Sequence, residues 1–209
     1  MNRAERRRQQ KLAKKAASNA KLGKAINRSS GQQTLSVQES IDLALQHHTA
    51  GRLPEAEKIY QQVLQTDPDQ PVALHLIGVI AHQVGDNNRA VDLIKKALTI
   101  KPDFAEAHSN LGTSLRELGR PEEAVESYHK AIAIKPDNAE AHSNLGNALK
   151  ELGRLEEAVE SYHMATAIKP DYAKAYNNLG NALQDLRRLE EAVSKLACSI
   201  EDLDGIVYP

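Results

Sequence analysis

A stretch of 34 residues occurs twice in succession, nearly unchanged. Residues 105–138 read AEAHSNLGTSLRELGRPEEAVESYHKAIAIKPDN, and residues 139–172 read AEAHSNLGNALKELGRLEEAVESYHMATAIKPDY, with seven differences. The same frame extends in weaker form over residues 37–70, 71–104 and 173–206. A fixed period of this size marks stacked helical units, each covered by its neighbours because none can bury its apolar face alone. The period also bears on function, since repetition builds a long surface readily and a single reacting centre poorly.

Each unit reads as two antiparallel helices joined by a short turn. In the fourth unit Leu145, Ala148, Leu149 and Leu152 keep the spacing of one helix face, and Leu155, Ala158, Val159, Tyr162 and Ala165 keep it again after the turn. The turn residue is Gly51, Gly85, Gly119 or Gly153, a residue type that enters the left-handed region at little steric cost. Pro68, Pro102, Pro136 and Pro170 close the first four units, because proline lacks the amide hydrogen and disfavours helix in the residue before it. Gly78, Gly112, Gly146 and Gly180 fall inside the first helix of their units. Glycine there costs ~1 kcal/mol relative to alanine, so its recurrence predicts that the partner helix approaches too closely for a side chain.

These residues resemble the tetratricopeptide repeat family. The pattern shows as Leu-Gly at the seventh and eighth places (Leu111-Gly112, Leu145-Gly146, Leu179-Gly180), and as alanine at the twentieth (Ala56, Ala90, Ala124, Ala158, Ala192). It continues with an aromatic at the twenty-fourth (Tyr60, Tyr128, Tyr162, with Ile94 the exception), alanine at the twenty-seventh (Ala97, Ala131, Ala165) and the four closing prolines. The bulky fourth place departs from the pattern, carrying Ser40, Leu74, His108, His142 and Tyr176. The resemblance implies an all-α, right-handed α-solenoid of about five helix-turn-helix units, preceded by a basic tail over residues 1–36 and followed by a short C-terminal end, residues 207–209.

The fifth unit, residues 173–206, is degenerate: Arg187 stands where the turn glycine belongs and Asp204 where the closing proline belongs. Leu189, Val193, Leu196 and Ile200 are expected to have one side uncovered. Three explanations fit: a longer parent chain, residues 206–209 folding back, or pairing with another molecule.

The net charge of −1 hides a division. Residues 1–36 hold ten Lys and Arg against Glu5 alone, whereas the remainder carries 17 basic and 27 acidic residues. The tail suits an anionic partner such as nucleic acid or a membrane surface. It lacks aromatics for base stacking, and a solvated arm is the plainer reading. The single cysteine, Cys198, cannot form an internal disulfide, which agrees with a reducing compartment. No stretch reaches the ~18 apolar residues of a membrane span, and the basic start lacks the apolar core of a secretory signal. The chain is therefore expected to be cytoplasmic and not integral to a membrane.

In the family the first helices line the concave side. There the chain repeats Asn110, Asn144 and Asn178 at the sixth place, with Asn147 and Asn181 at the ninth. Places three apart share a helix face. An amide offers both a donor and an acceptor, so a ladder of asparagines can hold a peptide backbone whatever its side chains. The ladder resembles that of the repeat arms of bacterial O-linked N-acetylglucosamine transferases and SPINDLY-like proteins. A solvent-facing consensus asparagine is the alternative. Arg116 and Lys150 at the twelfth place add positive charge, which Glu117, Glu151 and Asp185 offset. The Lys, Asn and Arg set that clamps a terminal carboxylate is not found.

No histidine pair has the spacing of a zinc site. The acidic pairs Glu122-Glu123, Glu156-Glu157 and Glu190-Glu191 fall in first helical turns, where negative charge favours the helix dipole. No phosphate-cradling loop or nucleophile elbow occurs. The expectation is a non-enzymatic scaffold for a protein or peptide partner, with no cofactor, no metal and no small-molecule substrate. Its alternative is the substrate-recruiting arm of a bacterial glycosyltransferase without the catalytic part.

Overall fold

The computed structural model describes residues 35–204, with side chains described as far as residue 191 and at Val193. Residues 1–34 and 205–209 lie outside it, and with them the expectations on the basic tail and the C-terminal end. Among the described residues there are nine helices and no strand: α1 (Val37–Thr49), α2 (Leu53–Thr66), α3 (Pro71–Gln83), α4 (Asn87–Ile100), α5 (Ala105–Glu117), α6 (Pro121–Ile134), α7 (Ala139–Glu151), α8 (Leu155–Ile168) and α9 (Ala173–Asp204). Successive helices pack on one another, which makes four hairpins and a ninth helix stacked into an α-solenoid.

Each hairpin turn is set by its glycine. Gly51, Gly85, Gly119 and Gly153 have φ between 71° and 86°. At the fourth turn the Gly153 amide donates to the Lys150 carbonyl at 3.0 Å and the Arg154 amide to the Leu149 carbonyl at 2.9 Å. Two carbonyls left over at the end of α7 are thereby satisfied. The next helix starts within a residue or two, with Pro121 leading α6, where its missing amide hydrogen costs nothing.

The in-helix glycines are notches. A Cβ on Gly112 would lie 2.8–3.0 Å from the Tyr128 ring, one on Gly146 2.6–2.8 Å from the Tyr162 ring, and one on Gly78 2.7 Å from Ile94. The predicted close approach is real at these three sites, and the filler is a side chain at the twenty-fourth place. Tyr60, Tyr128 and Tyr162 are fully buried, and burial pushes each phenol up to about 12. Around these rings run two apolar clusters. One spans Ile41 to Ile80, the other Val91 to Ala182.

The fifth unit departs from the two-helix reading. α9 runs unbroken over 32 residues through the place where the turn belongs. Arg187 has a Cβ, so the left-handed stop would cost ~1–2 kcal/mol there. Continuing the helix also aligns Arg187 with Glu191 at 2.9 Å and Arg188 with Asp185 at 3.9 Å, pairs that helical spacing creates.

Candidate peptide-binding cleft

Three consecutive first helices, α5, α7 and the start of α9, wall a cleft of about 440 Å³ lined by Arg116, Asn147, Lys150, Glu151, Lys174 and Asn178. Four of the residues expected from the sequence therefore meet in one place. Asn110 and Asn144 are half-buried on α5 and α7, and Asn181 is exposed on α9.

The amides are oriented by neighbours from other helices, within the unit and across units. Asn147 Oδ1 accepts from the Tyr162 hydroxyl at 2.8 Å and from Asn178 Nδ2 at 3.0 Å. The buried tyrosine of the α7–α8 hairpin thus fixes the asparagine above it, and that asparagine fixes the next. Asn110 Nδ2 donates to His75 Nε2 at 2.8 Å. His75 is buried against the Phe104 ring, 4.7 Å between centroids. Desolvation drives its pKa down to about 4, with Glu106 opposing, so the ring is neutral and can accept. What remains for a ligand is Asn147 Nδ2, the Oδ1 atoms of Asn110 and Asn178, and the amides of Asn144 and Asn181.

The charges are mostly paired. Arg116 lies 2.8 Å from Glu117 and 3.8 Å from Glu151. Lys150 Nζ lies 2.8 Å from Asp185 Oδ2 and holds that carboxyl below its usual range. The offset expected from the sequence is thus direct ion pairing. Lys174 was not anticipated, although its place carries Glu106 and Glu140 in the two preceding units, a break in the repeat that could have flagged it. His75 had no such signal, because its contact with Asn110 spans 35 residues.

His108 and His142 donate through Nε2 to the carbonyls of Pro102 and Pro136, at 2.8 and 3.0 Å, and tie each unit to the closing loop before it. Among the described residues no cluster of three or more His, Cys, Asp or Glu could hold a metal ion. No helix there is long and apolar enough to cross a membrane. A second cleft of about 650 Å³ is walled by α4, α5 and α6, with Leu98, Leu111, Ala133 and Ile134 among its lining and none of the candidate asparagines.

Family models described as TPR repeat and Tetratricopeptide repeat match residues 112–153 and 146–186, and residues 47–113, respectively. The chain is a tetratricopeptide repeat protein. The MamA crystal structure is similar over 79% of this chain and 90% of its own, at 27% identity and a TM-score of 0.65. A mutant O-GlcNAc transferase of Thermobaculum terrenum is similar over 63% of this chain but only 26% of its own, at 28% identity and a TM-score of 0.60. The first tetratricopeptide domain of Spaghetti (RPAP3), solved with an HSP90 peptide, shares the fold at 24% identity and a TM-score of 0.56, over 56% of this chain and 94% of its own. No curated protein sequence matches the chain.

Proposed function

We propose that this tetratricopeptide protein is a scaffold that holds an extended segment of a partner protein along the first-helix cleft. The observation that carries the reading is the pre-oriented amide row. Asn147 and Asn178 are held by Tyr162 and by each other, yet each keeps one backbone-compatible group open. Fixed amides lose little side-chain entropy on binding, which favours recognition of a main chain. Because Arg116 and Lys150 are already paired, amide hydrogen bonds and shape set the affinity, and net charge adds little.

The test is a triple change, Asn110→Ala, Asn144→Ala and Asn178→Ala, measured by calorimetry against peptides selected from a random library on the unmodified chain. Binding should weaken by about tenfold or more, roughly 1.4 kcal/mol, with the helical signal retained. Equal affinity removes the cleft from the reading.

The 28% identity with the Thermobaculum terrenum transferase favours a second reading, in which the same row presents substrates to a glycosyltransferase. Association of the chain with a sugar-nucleotide-dependent transferase supports that reading. Peptide binding with no such association supports the first.

A further inference from the structure

The last helix keeps the parts of a hairpin without making one. In units two to four the in-helix glycine is filled from the unit's own second helix, but over Gly180 nothing lies within 4 Å. Leu183 is 44% exposed, whereas Leu115 and Leu149 at the same place are 1% and 2% exposed. Val193 is 58% exposed, whereas Val125 at its place belongs to the apolar cluster. The first half of α9 thus presents a receiving face with its notch open.

By sequence, the second half carries what fills such a face. Leu189, Ala192, Val193 and Leu196 stand at the places of Leu155, Ala158, Val159 and Tyr162 in the fourth unit. Within one continuous helix the two halves cannot meet, because residues 180 and 196 are separated by about 24 Å at 1.5 Å per residue. We infer that two copies of the chain exchange these halves: residues 187–204 of each lie antiparallel on residues 173–186 of the other, with residue 196 over the partner's Gly180. Exchange of an identical element gives a closed two-fold pair, in which both faces are covered at once.

Charge complementarity selects the same occupant. In the third unit Glu106 at the second place pairs with Lys135 near the unit's end, at 3.7 Å. In the fifth unit the second place is Lys174, which has no ion pair among the described residues, and the end is acidic by sequence, with Glu201, Asp202 and Asp204. Both signs are inverted, so attraction between the two halves is kept. Lys174 also lines the peptide cleft, but the pairing is measured without any peptide.

Light scattering and sedimentation equilibrium of the 209-residue chain at about 1–100 µM should show a dimer. Arg187→Gly with Leu189→Pro restores the turn and helix start of the third unit and should shift the chain to monomer. Gly180→Ala should weaken association by about tenfold or more, whereas in an unpartnered helix alanine would only raise the thermal midpoint. In a Cys198→Ser background, Leu183→Cys with Val193→Cys puts thiols about 15 Å apart along one helix. Oxidation should then give a covalent dimer. A chain monomeric throughout that range, an internally cross-linked monomer, or a Gly180→Ala variant with a higher midpoint and unchanged association overturns the exchange.

Discussion

The fourth and fifth units share a frame but fold differently. Residues 139–172 make a closed hairpin, in which Tyr162 fills the notch at Gly146 and Gly153 turns the chain at a φ of 73°. Residues 173–204 keep the notch glycine and the apolar spacing but have Arg187 at the turn, and they make a single rod. The apolar pattern therefore specifies which face of each helix is buried, while one left-handed residue specifies what comes to bury it.

The comparison breaks most sharply if the filler is removed from the closed unit. Tyr162→Ala should cost ~3–5 kcal/mol in urea unfolding, because a fully buried ring leaves a cavity that packed helices collapse only partly. It should also release Asn147, so peptide affinity falls with stability. Leu183→Ala in the open unit should cost far less in the isolated chain.

The other end of the asparagine row offers a pH test. His75 has a folded pKa of about 4 against an ordinary 6.5. Its contribution is complete above pH 6.5, where both states are neutral, and is lost as pH falls from 6.5 toward 4, where only the unfolded chain takes up the proton. The loss is on the order of 3 kcal/mol. A His75→Phe variant should lack this part of the acid dependence in thermal melts between those pH values. A difference curve that is flat across the window means that His75 is not buried neutral beside Asn110.

Next in size is a pair of matched substitutions. Gly146→Ala drives a methyl into the Tyr162 ring and should cost ~1–3 kcal/mol. Gly180→Ala meets no atom of its own chain, so its effect should appear in association, with little loss of local stability. Equal losses of stability at the two sites mean that the fifth unit is a closed hairpin after all.

Gly153→Arg, which copies the fifth unit into the fourth, should cost ~1–2 kcal/mol through the left-handed conformation alone, more if the hairpin opens. Hydrogen exchange at the Tyr162 amide distinguishes the two outcomes. The smallest effect is expected at Arg154, whose pair with Glu157 is solvent-exposed; Arg154→Ala should leave the melting curve unchanged.

Much of this was legible in the sequence, for a physical reason. Period, helix faces, turn glycines and closing prolines are local properties of the backbone and of side-chain spacing, so the hairpins of residues 37–172 follow from the chain alone. The asparagine rows were visible in the same way, since places six and nine share a helix face. Other features needed the packed array. That Tyr162 orients Asn147, that His75 holds Asn110, and that Lys150 is spent on Asp185 depend on side chains from different helices meeting. Loss of the fifth turn was signalled by Arg187, but not its outcome. Only tertiary structure weighs a strained turn, with its buried face, against an unbroken helix that leaves the face over Gly180 uncovered, because burial is a property of neighbours in space.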